Sequence, residues 1–229
     1  MTQTFKQAFY FFRKNILQLL AYTIAIAVAV IVLAKLLVPL FFGGMSAEQI
    51  NIETIKPFAQ LLNLLVKPVY TGGLIALIYS LATEQGRGIV NCLFAGIMRW
   101  PYMLIANVIT SMVIFAGLML FILPGIWLFS RLFLVPYLVM LNNQTPVTAI
   151  INSYNYTKNY SLTILSDMAF LLVLFISVFF VLALLQLLHF FLILLFLLLF
   201  QTLAHVVYYR HYEILMDTFK DNNKTIENS

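Results

Sequence analysis

Four ionisable side chains lie inside long apolar segments and are the first candidates for chemistry: Arg131, Asp167, His189 and His205. An ionisable residue at membrane depth is costly to keep there, so it is a candidate functional residue by default. The two histidines are sixteen residues apart, which is about 24 Å along a helix and too far for a shared metal ion. We expect each histidine to be neutral and hydrogen-bonded.

Arg131 and Asp167 lie on segments that could bring them together. Counted along each predicted helix, Arg131 lies about 15 Å and Asp167 about 8 Å from the inner end. The difference of about 7 Å is near the reach of an extended arginine, so an ion pair is within range. Alternatively, Arg131 binds helix-end carbonyl groups near Pro136 or a lipid phosphate, and Asp167 caps a helix or faces water. For Arg131 we favour structural anchoring.

No recognised catalytic motif accompanies these residues. The GxSxG nucleophile motif, the HExxH zinc motif and the Walker phosphate loop are absent from the sequence. No Ser, Thr or Tyr has a neighbouring base at a telling spacing, as nucleophilic catalysis requires. Cys92 is the single cysteine, which excludes an internal disulfide and argues against structural zinc. We therefore expect a protein that is not an enzyme and uses no cofactor or metal.

The composition is that of a protein whose solvent is largely lipid. Hydrophobic residues make up 63% of the 229 residues and charged residues only 9%, against about 45–50% and about 25% in soluble domains. The formal net charge of +5 then concerns orientation and anionic lipid rather than nucleic acid. The first apolar run follows a basic segment but is longer than the core of a secretory signal, so we interpret it as a retained span.

Six segments are predicted to span the membrane, since a crossing needs about 20 apolar residues. They are residues 16–38, 58–82, 102–123, 126–141, 162–185 and 187–209 of a single transmembrane domain, 1–212, followed by a polar cytoplasmic tail, 213–229. The fold class is thus all-α, a polytopic transmembrane helical bundle. The fourth segment is short and contains Arg131. It is accepted because its neighbours need it for a consistent topology.

Glycine and proline mark the predicted boundaries. Gly43 and Gly44 open a polar loop that is predicted to run through Pro57. Pro124 and Gly125 are predicted to form the tight turn between the third and fourth spans, because these residue types dominate turns.

Two further prolines predict kinks, since proline removes a backbone hydrogen bond. Pro136 is predicted to kink the fourth span and Pro68 the second, where residues 58–66 either belong to the span or lie at the outer surface. The turn between the fifth and sixth spans is predicted near 184–188, without Gly or Pro. The alternative, one helix of forty-eight residues, would be about 70 Å long and far exceed a bilayer.

Lys and Arg residues predict the orientation. With the N-terminus inside, nine lie in cytoplasmic segments and three in outer segments, which is the asymmetry typical of membrane proteins. Both termini are therefore predicted to be cytoplasmic.

Three short amphipathic segments precede the first, third and fifth spans. Their apolar residues recur at helical spacing: Phe5, Phe9, Phe12 and Ile16; Ile89, Val90, Leu93, Phe94, Ile97 and Met98; and Val147, Ile150, Ile151 and Tyr154. Thr145 and Pro146 are the predicted N-cap and first turn of the third. The chain is thus predicted to form three hairpins of two spans, each preceded by a cytoplasmic interfacial helix.

Basic residues stand beside these segments, among them Lys14, Arg99 and Lys158. One interpretation is a cytoplasmic collar that contacts anionic lipid, where each basic residue contributes about 1 kcal/mol. The other, which we weight more heavily, is that they are ordinary positive-inside connectors.

A stretch of about forty residues resembles a known family. It runs from Leu123-Pro124-Gly125-Ile126-Trp127-Leu128-Phe129-Ser130-Arg131 through Pro136-Tyr137-Leu138-Val139 to Pro146, Ala149, Ser153 and Thr157-Lys158-Asn159. With a Pro-Gly turn, a short span with Arg and Pro, and a helix of small and hydroxyl residues in this order, the chain resembles YciC-like bacterial inner-membrane proteins. It also resembles the membrane domain attached to some glycerophosphodiester phosphodiesterases.

The chain departs from the pattern at Asn142-Asn143, where relatives often carry an acidic residue, and in having Lys158 as the one cation of its third amphipathic helix. What the resemblance implies is an inner-membrane protein loosely tied to envelope upkeep. Phosphodiesterase activity is not expected, since the soluble domain that carries it is not part of this sequence.

Two functions of different classes follow. The leading one is a non-enzymatic inner-membrane protein of envelope or lipid homeostasis that contacts anionic membrane lipids. Its candidate lipid or structural polar contacts are Arg131, Asp167, Lys14, Arg99 and Lys158. The alternative is a small transporter or channel, which an aqueous cavity lined by Arg131 and Asp167 would favour. No nucleic acid is expected as a partner, and protein partners and oligomeric state stay open.

Overall fold

The computed structural model describes residues 3–43, 52–184 and 190–227, and every element of secondary structure in these ranges is a helix. In chain order the helices are α1 (Gln3–Lys14), α2 (Ile16–Phe42), α3 (Ile52–Ala82), α4 (Ile89–Met98), α5 (Trp100–Leu120), α6 (Ile122–Leu132), α7 (Val135–Leu141), α8 (Pro146–Tyr156), α9 (Ser161–Leu184) and α10 (Phe190–Glu227). The predicted all-α fold class is confirmed. His189 and most of the turn predicted at 184–188 lie outside the described residues.

Five helical stretches are long and apolar enough to cross a membrane. They are Ile16–Phe42, Lys56–Ala82, Trp100–Leu120, Ile122–Leu141 and Ser161–Leu184. Large apolar side chains are exposed along them, for example Val28 and Ile31 on α2 and Val173 and Ile176 on α9. Apolar surface on this scale requires a lipid environment, so the chain is a multi-pass membrane protein.

The prediction that a polar loop runs through Pro57 is wrong, because α3 already begins at Ile52 and includes both Pro57 and Pro68. Residues 58–66 therefore belong to this helix and are not a separate segment. Each proline deletes only one backbone donor, and the helix has 31 residues. Its buried second half packs on several neighbours, which offsets that loss.

The second half of α3 is the centre of the core. Residues Leu74, Ile75, Ala76, Leu77 and Ile78 are all buried, so this turn of helix is surrounded on every side. Helices α2, α4, α5, α7 and α10 all contact α3.

Helices α3 and α4 are antiparallel and touch at the backbone. A Cβ atom added to Gly96 would lie 2.4 Å from the carbonyl oxygen of Val69 and 2.7 Å from the nitrogen of Gly73. Tyr22 of α2 reaches the same contact beside Gly73 and donates a hydrogen bond of 2.8 Å to the carbonyl of Tyr70. Glycines thus set the spacing of these two helices.

The turn between α5 and α6 is at Phe121, which is extended (φ −161, ψ 153), and the prediction of a turn at Pro124 and Gly125 is wrong. Pro124 lies in the first turn of α6, where its missing N–H costs nothing. Gly125 instead packs on α5, since a Cβ there would lie 2.8 Å from the nitrogen of Leu118.

Two predicted local features are present. The helix is interrupted between α6 and α7 at Phe133 and Leu134, and Pro136 is the second residue of α7. Thr145 is the N-cap of α8, and its side chain accepts a hydrogen bond of 3.4 Å from the backbone N–H of Thr148. Helix α10 continues through the predicted polar tail to Glu227.

Candidate functional site

Helix α4 packs on the protein through its small residues and leaves its apolar stripe outside. Cys92 and Gly96 are buried against α3, whereas Val90, Phe94 and Met98 are exposed. The predicted apolar stripe is therefore present, but most of it faces away from the bundle.

Helix α8 repeats this arrangement with different residues. Ala149 and Ser153 are fully buried, and Val147, Ile151 and Tyr154 are exposed. In a membrane protein, an apolar face that the bundle leaves uncovered is available for lipid.

Helix α1 differs from the other two, because two of its large aromatic residues are buried. Phe5, Ala8 and Phe11 are buried on α10, and the Phe5 ring meets that of Phe170 edge-on with centroids 4.7 Å apart. The prediction that Phe9 belongs to the same face is wrong, since its side chain is 49% exposed.

Arg131 lies between two aromatic rings at the junction of α6 and α8. Its guanidinium carbon is 4.8 Å from the ring centre of Trp127 and 5.0 Å from that of Tyr154. Nη1 donates a hydrogen bond of 3.3 Å to the carbonyl of Tyr154. The residue is only 6% exposed, and its Nε has no hydrogen-bond partner among the described residues. Cation–π contacts of this kind are worth about 0.5–2 kcal/mol each.

The backbone of Arg131 is also held by α8. Ser153 Oγ donates to the carbonyl oxygen of Arg131 at 2.7 Å. Thr157 Oγ1 lies 3.2 Å from the same oxygen and 2.8 Å from the Ser153 carbonyl, to which it donates. The interruption of the helix after Leu132 frees this carbonyl from its usual helical partner. The small and hydroxyl residues of α8 thus pack on α6 at Arg131.

Asp167 pairs with a residue that the sequence did not single out. His211 Nε2 lies 3.0 Å from Asp167 Oδ2, and both side chains are buried. Arg131 and Asp167 therefore have different partners. The pair ties α9 to α10 near the end of each span that is predicted to be cytoplasmic.

The basic residues singled out from the sequence occupy different surroundings. Arg99 is half-buried, hydrogen-bonds to the side chain of Asn143 and lies 5.8 Å from the ring centre of Tyr102. Lys14 and Lys158 are exposed, so they remain available to lipid head groups.

A cavity of about 450 Å³ lies between α3, α5, α6–α7 and α10. Its polar lining includes Lys67, Thr71, Asn107, Thr110, Gln201 and His205. Tyr137 Oη lies 3.1 Å from Nδ1 and 3.0 Å from the carbonyl oxygen of His205, which confirms that this histidine is hydrogen-bonded. Neither Arg131 nor Asp167 is among the lining residues, so this cavity is not the Arg131–Asp167 cavity that would have favoured a transporter.

Metal and thiol chemistry find little support in the described residues. They contain no group of three His, Cys, Asp or Glu side chains that could hold a metal ion. Cys92 is buried, and burial raises the pKa of its thiol, so it is a poor nucleophile.

Sequence reasoning singled out His205 but missed His211 and most of the polar residues of the cavity. Thr71 follows Lys67 by four residues, and Gln201 precedes His205 by four, which places each pair on one helix face. This spacing was a usable signal. The sequence does not show which helices pack against those faces.

Comparison with models of known protein families, with curated proteins and with solved structures finds no match.

Proposed function

We propose that this chain is a non-enzymatic, six-span protein of a bacterial inner membrane, with both termini in the cytoplasm. In this proposal it contacts anionic lipid through α1, α4 and α8 and serves envelope or lipid homeostasis. The sixth span is the first part of α10, and the three hairpins are α2–α3, α5 with α6–α7, and α9–α10. The resemblance to YciC-like proteins and the distribution of Lys and Arg support this arrangement.

The observation that carries the lipid role is the pair of outward apolar stripes on α4 and α8. Each of these helices buries small residues, among them Gly96 and Ser153, and exposes large apolar ones, among them Phe94 and Ile151. A helix that is merely a connector gains nothing from such exposure in water. At a membrane surface the same residues enter the boundary between head groups and acyl chains.

Exposed Lys and Arg side chains add electrostatic attraction to anionic lipid. Lys6, Arg13, Lys14, Arg87 and Lys158 are all exposed. Each cation near an anionic surface contributes about 1 kcal/mol, so a pair contributes about 2 kcal/mol, or roughly thirtyfold in affinity.

Native mass spectrometry with phosphatidylglycerol tests this role. The double variant Arg13→Gln/Lys14→Gln is compared with Lys35→Gln/Lys56→Gln, which removes two exposed cations from the predicted outer side. We expect phosphatidylglycerol to be retained by the wild type and the control and lost at least tenfold more readily by the first variant. Equal retention by both double variants would contradict the proposal.

A small transporter or channel is the second candidate, and the cavity favours it. Transporter sites lie near the bilayer midplane between helices, and the cavity lies among α3, α5, α6–α7 and α10. Solute uptake into liposomes that requires the cavity-lining residue Asn107 would support this candidate.

A further inference from the structure

Two buried threonine hydroxyl groups line the cavity. Thr71 Oγ1 and Thr110 Oγ1 have no hydrogen-bond partner among the described residues, and both side chains line the cavity. Helical threonines ordinarily bond to a carbonyl of the preceding turn, as Thr202 does with Leu198 at 2.8 Å. A buried unpaired polar group costs about 1–3 kcal/mol, so both hydroxyls favour an occupant of the cavity that accepts their hydrogen bonds.

The charge of the lining favours a negatively charged ligand. Lys67 lines the cavity, and none of the described lining residues is Asp or Glu. Lys67 and Thr71 are four residues apart on α3 and therefore lie on one face of the helix. An anionic group beside Lys67 can thus also accept the hydrogen bond of Thr71.

The shape of the cavity requires an apolar part as well. Its wall on α6–α7 is apolar over most of its length, with Phe129, Leu132, Phe133, Val135 and Pro136. Along α5 the lining runs from Met103 to Ile114, which is about 16 Å. A volume of about 450 Å³ is within the usual range of ligand sites, about 300–1,000 Å³.

We propose that this cavity binds an anionic amphiphile from the membrane, with its acidic head beside Lys67, Thr71 and Thr110 and its chain along the apolar wall of α6–α7. The site uses none of the exposed residues of α1, α4 and α8. If the cavity bound no amphiphile, the proposed lipid contact of those helices would be unaffected. If those helices did not contact lipid, the proposal for the cavity would be unaffected.

Dodecyl phosphate is the probe, applied to the full chain in phosphatidylcholine nanodiscs. Dodecanol and inorganic phosphate separate the contributions of chain and head. A Ser111→Cys variant places a reporter thiol in the lining, and its reaction with N-ethylmaleimide is followed by mass spectrometry. The wild type is the background control, since its single thiol, Cys92, is buried. We expect dodecyl phosphate to slow the reaction at least fivefold, and dodecanol and phosphate to have little effect.

Variants of the lining test the assigned contacts. In the Ser111→Cys background, Lys67→Gln should weaken protection about tenfold, and Thr71→Val or Thr110→Val about three- to tenfold, as expected for lost hydrogen bonds. The matched controls are Lys35→Gln, an exposed cation on α2, and Thr202→Val, whose hydroxyl is already bonded within its own helix. Both should behave as the parent.

Two results would overturn the proposal. One is no protection by dodecyl phosphate while each variant elutes as a folded, monodisperse protein. The other is protection that dodecanol reproduces or that survives Lys67→Gln together with both Thr→Val changes, which would mean unspecific partitioning of the chain.

Discussion

The contact between α3 and α4 makes Gly96→Ala a sharp test of the packing. In most helix interiors this change would stabilise by about 1 kcal/mol, because alanine is the better helix former. Here the new methyl group would lie 2.4 Å from the carbonyl oxygen of Val69 and 2.7 Å from the nitrogen of Gly73. Both are backbone atoms, so no rotamer change relieves the overlap. The overlap is relieved only if α4 moves away from α3.

Overpacking typically costs about 1–3 kcal/mol, and rigid backbone neighbours place this case at the upper end. After subtraction of the propensity gain, we expect Gly96→Ala to destabilise by about 2 kcal/mol. That corresponds to a loss of about 4–8 °C in Tm for a chain of this length. Thermal unfolding in mild detergent, followed by circular dichroism, measures it.

Gly88→Ala is the matched control at the N-cap of the same helix. Gly88 has φ −64 and ψ 154, and a Cβ there would meet no atom within 4 Å, so its Tm should stay within about 2 °C. If Gly96→Ala proved as stable as Gly88→Ala, α4 could not lie against α3 as described.

Three further experiments test the polar contacts, each with the same unfolding assay. Arg131→Lys keeps the charge but loses the planar group between two rings, and should destabilise by about 1–2 kcal/mol; an unchanged Tm would refute the stacked arrangement. Ser153→Ala removes one hydrogen bond to the Arg131 carbonyl and should cost about 1 kcal/mol, whereas Ser166→Ala, exposed and bonded only within its own helix, should cost less than half of that. His211→Leu and Asp167→Asn should show a coupling energy of about 1–3 kcal/mol in a double-mutant cycle, and additive effects would mean that the two side chains are not in contact.

Helix positions followed well from the sequence, because length, apolar composition and caps are local properties. Thr145 illustrates this, since a hydroxyl residue before Pro146 is a local N-cap signal and the helix begins there. The Pro136 interruption likewise follows from the geometry of one residue.

The packing partners of each helix were predicted less well from the sequence, because they depend on tertiary structure. The stripe on α8 was recognisable, yet its hydroxyl side proved to be the side that packs, through Ser153 and Thr157. Gly125 was predicted in a turn because glycine favours turns. In the structure it lies within α6, and the absence of a side chain allows α5 to pack closely against it. Sequence periodicity identifies two faces of a helix but not which face the bundle covers.

Candidate polar residues were identified by type but not by partner. Arg131 and Asp167 were considered together on depth alone, and that argument could not include aromatic neighbours such as Trp127 or the imidazole of His211. The placement of Thr71 and Thr110 in one cavity depends on four helices meeting, which the spacing of residues along the chain does not encode.

The outward face of α4 and α8 is the observation on which the lipid role depends, and spin-label accessibility measures it most directly. Nitroxides are introduced by Phe94→Cys and Ile151→Cys, with Arg87→Cys as the control beside α4, in liposomes containing phosphatidylglycerol. Oxygen concentrates in the acyl region and a charged nickel chelate in water. We expect oxygen to be the more effective relaxant at positions 94 and 151, and nickel at position 87. Nickel dominance at all three positions would place both stripes in water and contradict the lipid-contact account.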